Sequence, residues 1–484
     1  MSGYRFPDEI RGLILEALPE EPIRFGEVPE LRYTYVPAGH ARALHPDSML
    51  VVGMRGAGKT FWWSALQNPE HRRLVAEWLP RAGITENTRV SIGYGERAAP
   101  FDYPGRDTLA RLLDRYDPRQ VWRTVVLHKL SSDGPLSARK TWPERVEWVM
   151  EHPEEVELLL YGADQTLVQE GRHHLILFDA LDRTADDWPT MNQVVRGLLQ
   201  VLLEFRAYRR IRPKAFVRPD HIDEAAVGDF PDASKVLTQK VELRWPRYEL
   251  YGLLFQYLAN EESALFREGC EEGFGLRWER TEQGVWSLPK QLRVDETLQR
   301  KVFHAITGPW MGRDRRRGFP YTWLPNHLGD AHRQVSPRSF LAAVRRAAQD
   351  PPRESYEWAL FYESIKRGVQ EASRIRVKEM QEDYPWVKLL MDPLAELTVP
   401  VAFEPIVERW KASGVLAHLV EAIQNEKVKL PPAHWDEGPE GIRKDLEALG
   451  VFERMSDGRV NVPDVYRVGY GLRRRGGVKP SART

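Results

Sequence analysis

Short apolar runs alternate with longer segments of helical periodicity between residues 49 and 245. The runs are four to six residues long and end beside glycine, proline or aspartate, which is typical of buried strands. Strands that alternate with helices indicate a parallel α/β sheet. The predicted strands are 49–52, 89–94, 175–179, 214–218 and 240–245, and the clearest predicted helices are 61–66, 121–130, 142–152 and 189–208.

Beyond residue 246 the pattern becomes mainly helical. Residues 247–260 are amphipathic, and residues 262–335 are predicted to be irregular. Ser336 and Pro337 favour a helix start, because serine suits the N-cap and proline the first helical position. Three short helices and a hairpin then predict a winged helix: two helices within 401–425, one over 440–449, and a turn at Asp457-Gly458.

These changes of pattern predict several domains in a chain of 484 residues, which is too long for one compact core. The fold class we expect is α/β: a parallel-sheet P-loop NTPase core of the ASCE type, with a helical lid and a C-terminal winged helix. The predicted divisions are a lead-in (1–48), the core (49–245), the lid (246–350), a helical connection (351–400), and the winged helix with a basic tail (401–484).

Composition limits the kinds of partner, site and cellular location that we expect, but it does not indicate a function. Lys plus Arg equals Asp plus Glu at 70 each, so any contact with a polyanion must come from a local patch. The single cysteine, Cys270, excludes an intramolecular disulfide and a cysteine-rich zinc site. No apolar run approaches the roughly 18 residues of a membrane span, and the first ten residues lack a signal-peptide pattern. We therefore expect a cytoplasmic protein.

One segment carries a specific chemical signal. Residues 53–60 match the phosphate-binding pattern G-x-x-x-x-G-K-[ST] in full: Gly53, Met54, Arg55, Gly56, Ala57, Gly58, Lys59 and Thr60. The segment follows a predicted strand and opens a predicted helix, which is the context this motif requires. Backbone N–H groups would surround the phosphates, Lys59 would reach the β- and γ-phosphates, and the Thr60 hydroxyl would bind Mg²⁺.

A second group of polar residues follows the strand predicted at 175–179. Asp179 stands at its carboxyl end, where open α/β sheets bind ligands, and is the expected magnesium partner. Many ATPases place a glutamate directly after this aspartate, but here the residue is Ala180. Asp182 is the nearest acid that could orient the attacking water. Its alternative is a helix cap or an ion pair with Arg183.

At these residues the chain resembles a known family. Residues 175–183 look like the Walker B region of the STAND and KAP branch of bacterial P-loop ATPases, which lies near the AAA+ proteins. The resemblance spans roughly residues 45–350. It implies that Arg218 is the sensor 1 residue and that Arg338, at the head of its helix, is the sensor 2 residue. An ordinary ion pair is the alternative for both arginines. Ala180 departs from the AAA+ pattern, so the resemblance does not fix the rate of hydrolysis.

The expected function is an ATP- and magnesium-dependent switch that acts with a separate effector protein, in bacterial defence or signalling, and that could form homo-oligomers. ATP is favoured over GTP because the guanine-specific N/T-K-x-D pattern is not found. One alternative is a DNA-binding AAA+ loader or initiator, which would use the basic tail (Arg473, Arg474, Arg475, Lys479 and Arg483) and the run at residues 313–317. The other is a nucleotide-binding scaffold with little turnover.

Overall fold

The computed structural model describes residues 3–18, 20, 27–130, 134–222 and 224–480. The chain divides into two compact units. The first, here called the core unit, comprises Ile23–Leu31 and Val36–Arg244. The second, the helical unit, comprises Met1–Pro22, Arg32–Tyr35 and Trp245–Thr484, and it contains the first helix, α1 (Ile10–Ala17).

The core unit is built on a parallel sheet. Among the described residues its five strands lie in the order β2-β3-β4-β1-β5, and every neighbouring pair is parallel. All residues of β1 and β3 are buried, as expected for parallel strands whose two faces are covered by crossover helices. The strands are β1 (Leu50–Val52), β2 (Arg89–Tyr94), β3 (His174–Phe178), β4 (Ile211–Val217) and β5 (Val241–Glu242).

Strand order decides which residues meet at the carboxyl edge. β4 lies between β1 and β3, with Val51 opposite Phe216 and Leu177 opposite Lys214. The loops that follow β1, β3 and β4 therefore leave the sheet at one edge, where such sheets bind ligands. This order, with one strand between the phosphate-loop strand and the aspartate strand, is that of an ASCE-type P-loop NTPase.

Local sequence signals set the ends of the core helices. Asn68 caps α4 by accepting hydrogen bonds from the N–H groups of Glu70 and His71, and Thr141 and Glu144 form a capping box on α7. The helices of this unit include α2 (Ala41–Leu44), α3 (Lys59–Ala65), α4 (Pro69–Trp78), α5 (Arg106–Leu113), α6 (Pro118–Leu130), α7 (Trp142–Glu151), α8 (Pro153–Gln169), α9 (Trp188–Glu204), α10 (Glu224–Val227) and α11 (Ser234–Leu237).

A buried lysine ties the segment before β1 to the sheet. Lys214 of β4 is fully buried, and its Nζ donates hydrogen bonds to the carbonyl oxygens of Ala43 (2.8 Å), His45 (3.0 Å) and Ser48. Burial lowers the pKa of Lys214 to about 7. Since an unpaired buried ammonium is costly, the three carbonyl partners hold residues 43–48 against this strand.

The helical unit packs around one large apolar cluster, to which α1, α12, α15, α16, α17 and α18 contribute. The prediction that residues 262–335 are irregular is wrong, because much of this segment is helical. The elements are α12 (Arg247–Ala259), α13 (Leu265–Phe274), the hairpin β6 (Glu279–Arg280) with β7 (Trp286–Ser287), α14 (Lys290–Val294), α15 (Glu296–Thr307), α16 (Pro320–Leu328), α17 (Pro337–Gln349), α18 (Tyr362–Asp383) and α19 (Pro385–Met391).

The C-terminal part of this unit has the winged-helix arrangement. Helices α20 (Phe403–Ala412), α21 (Val415–Gln424) and α22 (Pro439–Ala448) precede the antiparallel hairpin β8 (Glu453–Arg454) with β9 (Val460–Asn461). Val401 adds an antiparallel bridge to Val460, and α23 (Asp464–Arg467) follows. No helix in the described part of the chain is long and apolar enough to cross a membrane.

Candidate functional site

The phosphate loop joins β1 to α3, and glycine is required at three of its positions. Gly56 and Gly58 have φ angles of +80° and +97°, which L side chains rarely adopt. At Gly53 a Cβ atom would lie 3.2 Å from the Lys59 side chain and 3.3 Å from that of Ala57. Gly56 and Gly58 therefore permit the turn, and Gly53 leaves room for the Lys59 side chain.

Lys59 folds back over this loop. Its Nζ donates hydrogen bonds to the carbonyl oxygens of Gly53 (2.6 Å) and Met54 (3.1 Å). The loss of hydration lowers the pKa of Lys59 to about 8; the charge of Arg218 adds to this effect and that of Asp179 opposes it. The ammonium therefore has neutral hydrogen-bond acceptors and can receive an anion without leaving a carboxylate.

Asp179 contacts Thr60, the last residue of the phosphate-binding motif. It directly follows β3, is 3% exposed, and its Oδ2 accepts a hydrogen bond of 2.8 Å from the Thr60 hydroxyl. Burial raises the pKa of Asp179 to about 6, although the Lys59 charge and the Thr60 hydrogen bond lower it. A hydroxyl and a carboxylate are hard oxygen donors, which suit Mg²⁺ when phosphates and water supply the remaining ligands.

No group of three or more His, Cys, Asp or Glu side chains that could hold a metal is found among the residues the structure describes. This does not exclude magnesium at Thr60 and Asp179. Mg²⁺ is usually bound through one or two carboxylates together with substrate phosphates, not by an all-protein cage.

Asp182 and Arg218 lie near each other at the same edge of the sheet. Ala180, in the left-handed conformation at φ +58°, turns the chain sharply after Asp179, so that Asp182 stands on a short turn of 3₁₀ helix. Its Oδ2 is 4.0 Å from Nη1 of Arg218, which follows β4. Arg183, the ion-pair partner in the alternative interpretation of Asp182, pairs with Glu96.

Two residues that sequence reasoning missed surround Arg218. Asp220 accepts hydrogen bonds from Arg218 Nε (3.1 Å) and Nη2 (2.8 Å), so it holds the guanidinium in place. His221 is 1% exposed, and neither ring nitrogen has a hydrogen-bond partner among the described residues. Burial lowers the pKa of His221, which is therefore neutral. Asp220 could have been suggested by its spacing from Arg218; nothing in the sequence marks His221.

A third missed residue links the phosphate-loop helix to the end of the core unit. Trp62 Nε1 in α3 donates a hydrogen bond of 3.1 Å to His40 Nδ1. The other ring nitrogen of His40 lies 3.2 Å from the carbonyl oxygen of Arg244, so it carries the proton. Burial lowers the pKa of His40 to about 4, which keeps this relay neutral near pH 7.

Arg338, the predicted sensor 2 residue, belongs to the helical unit. It lies in the first turn of α17, as predicted, and its Nη1 forms an ion pair of 2.6 Å with Glu379 of α18. Glu379 also accepts from Arg376, at 3.3 Å. Arg338 therefore forms the ion pair between helices that was the alternative interpretation of this residue. A contact between Arg338 and nucleotide stays a prediction.

Several basic residues of the winged helix and tail are neutralised by carboxylates. Each of the following forms an ion pair: Arg443 with Glu440, Lys444 with Glu437, Arg459 with Asp457, Arg473 with Glu396, and Arg474 with Asp464. Arg475 and Lys479 remain on the exposed tail, and Arg483 lies outside the described residues. The tail is therefore a weaker phosphate-binding surface than its composition predicts.

Comparisons with known proteins return low similarity. No family model and no curated protein matches the chain. Similar solved structures include Cdc6p from Pyrobaculum aerophilum (11% identity, 97% of this chain and 95% of that chain, TM-score 0.29). They also include the Orc1 protein of Aeropyrum pernix in complex with DNA (14%, 91% and 93%, 0.31) and the Orc2 protein of the same organism in ADPNP-ADP complexes (13%, 95% and 98%, 0.28). We therefore base the function on the geometry of the site itself.

Proposed function

We propose that this protein is a magnesium-dependent, AAA+-related P-loop ATPase. The observation that carries the proposal is the meeting of Lys59, Thr60 and Asp179 at one sheet edge, with the Thr60 hydroxyl 2.8 Å from the Asp179 carboxylate. The strand order supports it, because it places Arg218 at the same edge. The proposal implies that the chain binds ATP and hydrolyses it in the presence of Mg²⁺.

Each residue would have a distinct task. The backbone N–H groups of the loop and the start of α3 would bind phosphate oxygens, and Lys59 would exchange its carbonyl partners for the β- and γ-phosphates. Thr60 and Asp179 would hold magnesium, which neutralises the phosphate charge when bound. Asp182 would orient the attacking water in place of the glutamate that Ala180 replaces, and the resulting turnover would be slow.

We further propose that nucleotide binding is converted into a signal through Arg338. This arginine forms an ion pair with Glu379. A γ-phosphate that attracts the guanidinium would compete with this ion pair and shift the helical unit between two arrangements. A separate effector protein, in bacterial defence or signalling, or a second copy of the chain would then sense the change.

The second candidate function is a DNA-acting ATPase of the loader or initiator class. A specific observation favours it: the exposed arginines of residues 313–317 have no carboxylate partner within the described chain, as detailed below.

The test is an ATPase assay with and without duplex DNA, combined with a nucleotide titration. The wild-type chain should bind ATP and release phosphate only with Mg²⁺, and Asp179→Asn should retain binding while it loses metal-dependent turnover. Stimulation by DNA would favour the second candidate over an effector-linked switch. A wild-type chain that neither binds nor hydrolyses ATP would refute the ATPase proposal.

A further inference from the structure

An arginine-rich turn projects from the helical unit between α15 and α16. The N–H of Met311 donates to the carbonyl oxygen of Gly318 (2.9 Å), which closes the loop at its base. Met311 is 2% exposed and anchors this base in the unit. Asp314 Oδ1 accepts from the N–H of Arg316 (2.8 Å) and caps a short 3₁₀ helix, Arg315–Arg317. Residues 313–317, here called the arginine turn, therefore have a defined backbone.

The turn carries a local excess of positive charge in a chain with no net charge. Arg313, Arg315, Arg316 and Arg317 are all exposed. Within the described residues, none of the four guanidinium groups has a carboxylate within ion-pair distance. The turn's one acid, Asp314, is engaged by a backbone N–H. This contrasts with the winged helix, whose Arg443, Lys444 and Arg459 all form ion pairs.

Aromatic groups and a further arginine lie at the base of the turn. Phe319 contacts Trp310 at a ring separation of 5.0 Å and stacks with His304 at 5.8 Å. The guanidinium carbon of Arg300 lies 5.2 Å from the centroid of the Phe319 ring. These rings are only partly exposed, and no large apolar side chain of the described segment 300–323 is exposed.

The chemistry of this surface selects a phosphate polymer. Guanidinium groups bind phosphate oxygens through paired N–H donors and retain their charge at all physiological pH values. A membrane surface would also attract arginines, but it favours an apolar anchor that can enter the lipid, and this segment exposes none. Several adjacent cations without acidic partners instead match the regular phosphates of a nucleic-acid backbone.

We propose that the arginine turn is a sequence-independent binding site for duplex DNA, made through the phosphate backbone. Four arginines can neutralise up to four phosphates, so log K should fall with log [salt] at a slope of up to about −3.6. Between 50 and 200 mM salt the affinity should then fall by roughly 100-fold. This site is separate from the phosphate loop, so it does not depend on the ATPase proposal.

The experiment is a fluorescence-anisotropy titration of the full chain with a labelled 30-base-pair duplex at several salt concentrations. The test variant changes Arg313, Arg315, Arg316 and Arg317 to Gln. A matched control changes Arg443, Lys444, Arg459 and Arg473 to Gln, which removes the same charge from ion-paired positions of the same unit. The test variant should bind at least 30-fold more weakly at 50 mM salt, with a slope near zero, whereas the control should change by less than threefold.

Further variants and probes separate a failure of the DNA-binding proposal from a failure of the ATPase proposal. Lys59→Ala should bind DNA as the wild type does; this result would support the proposal even if the chain proved not to bind ATP. The test variant should unfold within about two degrees of the wild type, because its four altered residues are exposed. The unfolding temperature of the control is measured beside it, because Arg443 is only 17% exposed and packs over the Phe403 ring. Loss of DNA binding in the control but not in the test variant would overturn the proposal in favour of the winged helix. Absence of wild-type binding at 50 mM salt, or binding to anionic phosphatidylserine vesicles instead of DNA, would also overturn it.

Discussion

Replacing Lys59 by methionine tests the nucleotide site most directly. Methionine keeps much of the side-chain length but removes the charge and both hydrogen bonds to the Gly53 and Met54 carbonyl oxygens. At pH 7 the wild-type amine is mostly protonated, since its pKa is about 8. The variant therefore lacks a cation at the position expected for the β- and γ-phosphates.

The size of the effect follows from an exchange of partners. The two contacts of the ammonium with phosphate oxygens join opposite charges and are worth about 3 kcal/mol each, at the top of the range for hydrogen bonds to charged groups. The two contacts of the same ammonium with neutral carbonyl oxygens, which are given up, are worth about 1.5–2 kcal/mol each. The difference, about 2–3 kcal/mol, corresponds to roughly 30- to 150-fold weaker ATP binding. Met54 is partly exposed, so water can reach its freed carbonyl group, but Gly53 is buried. Stability should therefore fall by about 1–3 kcal/mol, the cost of leaving one buried carbonyl group without its partner.

The assay is a titration with a fluorescent ATP analogue in the presence of Mg²⁺. Lys235→Met is the matched control, since Lys235 belongs to the same unit but is exposed and paired with Asp232. Its dissociation constant should equal that of the wild type. A change of less than threefold for Lys59→Met, or an equal loss in the control, would refute the assignment of the phosphate loop.

Three further predictions concern catalysis, switching and pH. Asp182→Asn should bind ATP with magnesium yet release phosphate slowly in an ATPase assay. Asp179→Asn should instead lose the magnesium-dependent turnover. Normal turnover in the Asp182 variant would indicate that this residue has only a structural role. A slowly hydrolysed ATP analogue should change the compaction or oligomer size seen by X-ray scattering, and Arg338→Ala should weaken this response; an identical profile with and without analogue would favour a scaffold. Because burial lowers the folded-state pKa of His174 to about 3 from 6.5, the unfolded chain binds more protons between these values, so stability should fall as pH decreases from about 6.5 towards 3, by about 3 kcal/mol at pH 4. His174→Gln should flatten that part of a denaturation series, and an unchanged pH dependence would argue against a buried neutral imidazole.

The strands and the hairpin that were predicted correctly are those whose own residues carry a strong local pattern. The strand containing Leu175–Phe178 has only large apolar residues and ends in an acid, and the structure confirms it within one residue as β3. The strand at 89–94 is confirmed without change. The hairpin at Asp457-Gly458 is confirmed as well, because glycine at 458 can adopt the φ of +85° that its turn requires.

Two glycines lie inside a helix of the segment 262–335, which was predicted to be irregular. Gly269 and Gly273 both lie inside α13. A Cβ at Gly269 would come 2.4 Å from Phe6, and one at Gly273 would come 2.4 Å from Tyr4. These glycines allow the N-terminal aromatic residues to pack closely on the helix. That requirement arises from residues more than 250 positions away and cannot be read from local periodicity.

Charge pairing was the other feature hidden from sequence. Arg473 and Arg474 look like a free basic tail, but their carboxylate partners Glu396 and Asp464 come from other segments. Residues 313–317 look like the same kind of basic run and remain without such partners in the described chain. Composition alone therefore could not separate a neutralised arginine cluster from one that is available to a polyanion.

The difference between neutral and ionic partners also predicts the order of events in the proposed switch. Within the described part of the chain, Lys59 donates hydrogen bonds only to neutral carbonyl groups, so an arriving phosphate would displace no ion pair found there. Arg338 must instead leave Glu379, which is largely buried and also serves Arg376. A ligand shifts a conformational equilibrium only by its difference in affinity for the two states. We therefore predict that ATP binds through Lys59 whether or not the helical unit responds, and that the proposed attraction of its γ-phosphate for Arg338 drives the response. Under this scheme ADP would bind to the loop but leave Arg338 with Glu379, which makes the γ-phosphate the signal.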